Sequence, residues 1–146
     1  MTPAEALEEG RRILEPVLVA NGWQFVRGPT GTGSGGHFAR GDFVRENRRL
    51  ELHFRRSLGL VTYHVGELAL SHEAYMEALL GRRGASRYPG FSADPLEAFR
   101  DLAADLQEHC MDFVVGSGDE FRRCVERARE LAKVSGFKKL SSRKDV

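Results

Sequence analysis

Four side chains in the first half of the chain could do chemistry together: Asp42, Glu51, His53 and His64. Carboxylates and imidazoles gathered at one point hold a divalent metal or pass a proton. A sheet would gather them. Arg49-Leu50-Glu51-Leu52-His53-Phe54-Arg55 alternates strictly between polar and apolar, the period of a half-buried strand. Ser57-Leu58-Gly59 reads as a turn, and Leu60-Val61-Thr62-Tyr63-His64-Val65 as the next strand. Pairing Phe54 with Val61, Leu52 with Tyr63 and Leu50 with Val65 makes one face wholly apolar. The other face then carries Arg49, Glu51, His53, Arg55, Thr62 and His64, with Glu51 directly across from His64. A two-residue turn at Glu46-Asn47 adds Arg40 and Asp42, the latter beside Glu51.

The same pattern also describes a plain solvated sheet face, on which opposite charges stabilise cross-strand pairs by roughly 0.2–1 kcal/mol each. A flat face lacks the concavity that catalysis usually needs. Glu51, His53 and His64 are therefore candidate binding residues. No residue is assigned as catalytic or metal-ligating, and no motif implies a cofactor.

Gly31-Thr32-Gly33-Ser34-Gly35-Gly36 fits G-x-G-x-x-G, but a dinucleotide loop must open a helix. His37-Phe38-Ala39-Arg40-Gly41-Asp42-Phe43-Val44, which follows, is strand-like, and no lysine completes a P-loop. A kinase-type loop does join two strands, but its strand lysine, H-R-D and D-F-G partners are missing. The expectation is a flexible hairpin link. A second candidate surface is the loop from Arg82 to Phe91, in which Arg83, Arg87 and Tyr88 are of the residue types that dominate binding hot spots. Alternatively, Tyr88 and Phe91 pin the loop to the core.

The elements around these candidates read as follows. Thr2-Pro3-Ala4-Glu5 is a capping box, starting a helix that ends near Asn21-Gly22 and is interrupted by Pro16. Trp23-Gln24-Phe25-Val26 is a short strand, followed by the three strands around the candidate face. Ser71 caps a helix ending at Gly81; Asp94-Pro95 opens another, with a stripe from Leu96 to Phe113; Asp119 caps the last. The fold expected is α+β: an antiparallel meander of about four strands with helices on one face. Residues 1–137 form one domain, and 138–146 a basic, flexible tail.

Composition narrows the function. The chain has 146 residues, 41% hydrophobic and 29% charged, as in a globular domain. Its net charge of +1 provides no overall field for nucleic acid, which makes that partner the least favoured. No apolar run approaches a membrane span, and the acidic start at Met1-Thr2-Pro3-Ala4-Glu5 is unlike a signal peptide, so the expected location is the cytoplasm. Cys110 and Cys124, the only cysteines, match no metal spacing and are expected as buried thiols.

Two segments, "RRLELHFRRSLGLVTYHVGELALSHEAYM" and "YPGFSADPLEAFRDLAADLQEH", resemble small bacterial α+β proteins, some of which are similar to immunity proteins of polymorphic toxin systems. The likeness spans residues 37–114. It implies a single-domain, cytosolic, non-enzymatic protein that neutralises a toxin by covering it, and it carries over no site residues. The expected function is a non-catalytic protein-binding module acting through the polar sheet face and the 82–91 loop. The alternatives are a small metal-assisted or acid–base enzyme on Asp42, Glu51, His53 and His64, and a nucleic-acid-binding module. A homodimer is left open.

Overall fold

The computed structural model describes residues 1–33, 36–82, 84–89 and 93–144. Its order is α1 (Pro3–Leu18), a short 3-10 turn (Val19–Asn21), β1 (Gln24–Gly33), β2 (Gly36–Arg45), β3 (Arg48–Phe54), β4 (Leu58–Val65), β5 (Leu68–Ser71), α2 (His72–Leu80), α3 (Glu97–His109), α4 (Met111–Val114) and α5 (Asp119–Lys144). The fold is α+β, and its sheet is an antiparallel meander in the order β1-β2-β3-β4-β5. It has five strands rather than four. The unanticipated one, β5, is only four residues long, too short to show a period.

The sheet has two unlike faces. Leu50, Leu52, Phe54, Val61, Tyr63 and Val65 point inward and are buried, together with Ala39 and Phe43 from β2. Leu7, Leu14 and Leu18 of α1, Tyr75 and Met76 of α2, Phe99, Leu102 and Leu106 of α3, and Phe121 and Val125 of α5 complete one core on that side. The β3–β4 register differs from the expected one: Leu50 pairs with Tyr63, Leu52 with Val61 and Glu51 with Thr62. A bulge between His53 and Phe54 shifts the pairing, and Phe54 meets Leu58. The offset is even, so every side chain keeps its expected face. The Glu46-Asn47 turn is as expected, with Arg45 opposite Arg48 and Asp42 opposite Glu51.

The glycine motif lies on a hairpin. Gly31 to Gly33 belong to β1 and Gly36 to β2, with Gly33 paired to Gly36; Ser34 and Gly35 are outside the described residues. No helix follows it, so the phosphate-loop geometry is absent. β1 is much longer than the expected 23–26 strand and passes Pro29 through an irregularity between Arg27 and Thr30.

Helix boundaries follow their caps. Thr2 Oγ1 accepts from Glu5 N at 3.1 Å, Ser71 Oγ accepts from Ala74 N at 3.1 Å, and Gly81 closes α2 at φ 77°. Pro16 leaves α1 unbroken. The expected single stripe from Leu96 to Phe113 is divided at Cys110, and α5 runs on to Lys144, past the boundary expected at residue 137. Arg48, at the inner edge of β3, is buried and donates to the carbonyls of Asp112, Phe113 and Gly116. Trp23 Nε1 donates to Val114 O at 2.9 Å. These two side chains satisfy carbonyls that the end of α4 leaves open.

Gly10 lets α1 lie directly on α3: a Cβ there would sit 2.4 Å from the Phe99 ring. Alanine normally improves a helix interior by about 1 kcal/mol over glycine. Here overpacking of about 1–3 kcal/mol opposes that gain. Gly10→Ala should therefore lower the thermal midpoint by a few degrees in a melt followed by circular dichroism. A rise would show that α1 and α3 are not in this contact.

Candidate functional site

The outer face of the sheet assembles the expected constellation through a network of arginines. Glu51 sits at its centre. Its Oε2 accepts from Arg40 Nη2 at 2.5 Å, and its Oε1 lies 2.9 Å from His64 Nε2. Arg49 approaches Asp42 Oδ2 at 3.7 Å and Glu51 Oε1 at 3.9 Å. The Glu51–His64 contact survives the changed register because it is diagonal: Glu51 faces Thr62, and His64 faces Arg49. Nε2 of His64 is also 3.4 Å from Arg49 Nη2. A nitrogen that donates to Glu51 cannot also accept from Arg49, so Glu51 accepts the hydrogen bond from His64 and Arg49 is left to Asp42.

The two carboxylates differ in basicity. Burial raises Glu51, but hydrogen bonds from His64 and Arg40 outweigh it and leave the group more acidic than usual. Asp42 is raised, first by burial and then by the neighbouring Glu51 charge, against the pull of Arg49. The two carboxyls are thus shifted in opposite directions by the same network. His53 takes a separate path: its ring stacks on Phe38, with centroids 5.6 Å apart. Burial, then Arg55 and Arg40, make it less basic than usual. Among the described residues no group of three or more His, Cys, Asp or Glu is placed to hold a metal ion. A carboxylate held ionised by an arginine and a histidine is also poorly matched to general-acid work near neutral pH.

The loop candidates part company. Tyr88 is buried, and its OH donates to Leu58 O at 2.6 Å and Gly59 O at 3.0 Å. The apolar ring and the single partnered hydroxyl place it in the core, so it is withdrawn as a contact residue. Arg87 is exposed and pairs with Glu108 at 2.9 Å; its contacts do not reach the sheet face. Arg83 lies outside the described residues, as does Phe91.

Beneath that loop is a second polar cluster that pattern reading missed. Asp105 is fully buried on α3. Its Oδ1 accepts from Arg87 N at 2.8 Å, and its Oδ2 from Tyr88 N at 2.8 Å. His72 Nε2 is 3.1 Å from Oδ2, and His72 Nδ1 is 2.7 Å from Tyr63 OH. With Nε2 directed at the carboxylate, Nδ1 is left facing the tyrosine hydroxyl. Tyr63, His72 and Asp105 resemble a proton relay in type, but none is more than 2% exposed. No substrate reaches them, and their work is to join α3, α2, β4 and the loop. A signal was present: Asp105 lies between Leu102 and Leu106 on the buried stripe of α3. Cys110 and Cys124 are free and buried, and burial pushes both thiols up, away from the nucleophilic form.

No protein-family model matches the chain, nor does any curated protein or solved structure. Among the described residues no helix is long and apolar enough to cross a membrane.

Asp105 also sets an acid limit. Burial raises its carboxyl, but the bonds from His72, Arg87 N and Tyr88 N outweigh it and leave the pKa lowered. A lowered folded-state value adds stability above the ordinary carboxylate range of about 4 and loses it as pH falls through the folded value. Asp105→Asn, which turns an amide NH2 toward one of these donors, should cost about 1–3 kcal/mol at neutral pH in urea unfolding. It should also flatten the pH dependence below about pH 4. Equal urea midpoints for variant and wild type would remove Asp105 from this role.

Proposed function

We propose that the protein is a non-catalytic binding module that engages a partner protein through the outer face of its sheet. The observation that carries the reading is the one-sided fold: every helix that shares the core packs on the inner face, and the opposite face presents an ordered network of charges to solvent. Arg40, Glu51, His64, Arg49 and Asp42 hold one another in place, so a partner would meet a pre-organised surface and lose less side-chain freedom on binding. Open, flat surfaces of mixed charge suit macromolecules, whereas small substrates favour recesses. Likeness to immunity proteins adds a class of partner, a toxin whose working surface this face would cover. Arg87 could sit at the rim of such a contact only if the partner extends around the sheet edge; the central claim concerns Arg40, Glu51 and His64.

A charge swap separates binding from folding. Arg40→Glu with Glu51→Arg keeps an ion pair across β2 and β3 but reverses its polarity. Wild type immobilised on resin and exposed to nuclease-treated lysate of the native host should recover a stoichiometric protein. The swapped variant should recover it about tenfold less, a change of about 1.4 kcal/mol. Leu131→Asp, on the exposed part of α5, should leave recovery intact. Equal recovery by wild type and swap would place the contact elsewhere.

A further inference from the structure

The far end of the same face differs from its centre. A hollow of about 390 Å³ opens where β3 turns into β4, walled by His53, Arg55, Arg56, Ser57, Gly59 and Leu60. Local structure explains why it exists. Alternation along β3 sends His53 outward, and Arg55, just past the strand, lies over the Phe38 ring beside it. The bulge after His53 and the turn, closed by Arg55 N donating to Ser57 O, bring Leu58 inward, where it is buried. Tyr88 OH holds the carbonyls of Leu58 and Gly59 from below. Leu60, paired with His53, is thereby pushed to the outer face and is 66% exposed.

A single exposed leucine needs no explanation. This one continues an apolar strip, since the His53 ring beside it stacks on Phe38. The charge around the strip is also unbalanced. Arg40 and Arg49 have Glu51 and Asp42, and Arg87 and Arg100 have Glu108 and Asp94. No acidic side chain walls the hollow. Among the described residues neither Arg55 nor Arg56 has a carboxylate partner; Arg55 donates to Gly36 O at 3.3 Å and lies over the Phe38 ring. Asp94 and Asp101 border a neighbouring hollow that Arg56 also touches, but Asp94 is held by Arg100.

We propose that this hollow anchors an acidic segment of the partner protein that carries a large apolar side chain. The apolar group would cover Leu60 and the edge of the Phe38–His53 stack, and carboxylates would meet the guanidinium groups of Arg55 and Arg56, which suit paired oxygens. The inference rests on the partner-binding reading above and adds the chemistry of what is bound. Charge complementarity calls for an anionic ligand, and the state of the aromatic rings favours a peptide over single-stranded nucleic acid. A nucleic acid needs free aromatic faces for its bases, and Phe38 is already occupied by His53 and Arg55.

Fluorescence anisotropy with the intact protein tests this. The probe is a labelled peptide alternating glutamate and phenylalanine; its comparators replace glutamate by lysine or phenylalanine by alanine, and an oligothymidylate serves as the nucleic-acid arm. Saturable binding of the first peptide alone is expected, weakened about tenfold or more by Arg55→Glu with Arg56→Glu, and by Leu60→Asp. Arg12→Glu on α1, whose side chain is 65% exposed, should leave it unchanged. Matching thermal midpoints would show that the variants fold. No saturation by about 1 mM peptide, equal binding of the lysine peptide, indifference to the variants, or tighter binding of oligothymidylate would each overturn the proposal. Lysate capture distinguishes the two readings. Capture that survives Arg55→Glu with Arg56→Glu but fails with the Arg40 and Glu51 swap overturns the hollow and keeps the binding face. Peptide binding that obeys the variants, with no partner captured by wild type, supports the hollow's chemistry and removes the native-partner reading.

Discussion

A carboxylate without water around it must be satisfied by fixed donors, and Asp105 sets that condition at the middle of this fold. Its two oxygens receive the main-chain N–H groups of Arg87 and Tyr88 and face Nε2 of His72. The donors come from two separate segments: His72 from the start of α2, and the other two from the loop that precedes α3. His72 passes the constraint on to Tyr63 of β4. Tyr88, once its N–H is fixed, carries its hydroxyl to the carbonyls of Leu58 and Gly59, at the start of β4. A buried charge on a helix thus positions the hairpin end that displays Arg55, Arg56 and Leu60 on the opposite side of the sheet. The link from core chemistry to surface chemistry is a chain of hydrogen bonds.

A second anchor works at the other end of β3. Arg48 inserts its guanidinium among the carbonyls of Asp112, Phe113 and Gly116, and Asp112 in turn accepts from the N–H groups of Gly118 and Phe121. The break between α4 and α5 is therefore tied directly to the sheet, and α5 leaves it in a fixed direction. Both anchors draw the helices to one side. The other side is left with Arg40, Asp42, Arg49, Glu51 and His64, whose mutual contacts order an uncovered sheet face, and with His53, which stacks on Phe38.

The faces of the sheet were legible because alternation is a property of adjacent residues. Glu51, His53 and His64 point where the period says they should, even though a bulge moved their partners. The Glu46-Asn47 turn and the caps at Thr2, Ser71 and Gly81 were legible for the same local reason. What the sequence concealed depends on distant contacts. Asp105, His72 and Arg48 are polar residues buried by partners far along the chain, and pattern reading assigns such types to solvent. Tyr88 looked like a binding residue because its composition and loop setting are those of hot spots; only the approach of Leu58 and Gly59 makes it a core residue. β5 was too short to be read, and β1 was hidden by its glycines and proline.

On the reading proposed above, the exposed sheet face is the working surface and the helical side its support. Photo-crosslinking in the native host tests it most directly, with p-benzoylphenylalanine in place of Leu60 in one strain and of Leu131 in another. Both positions are solvent-exposed, one on β4 opposite His53 and the other on α5. A discrete protein adduct is expected from position 60 after irradiation and none from position 131. An adduct from position 131 alone would contradict it and move the working surface to the helices.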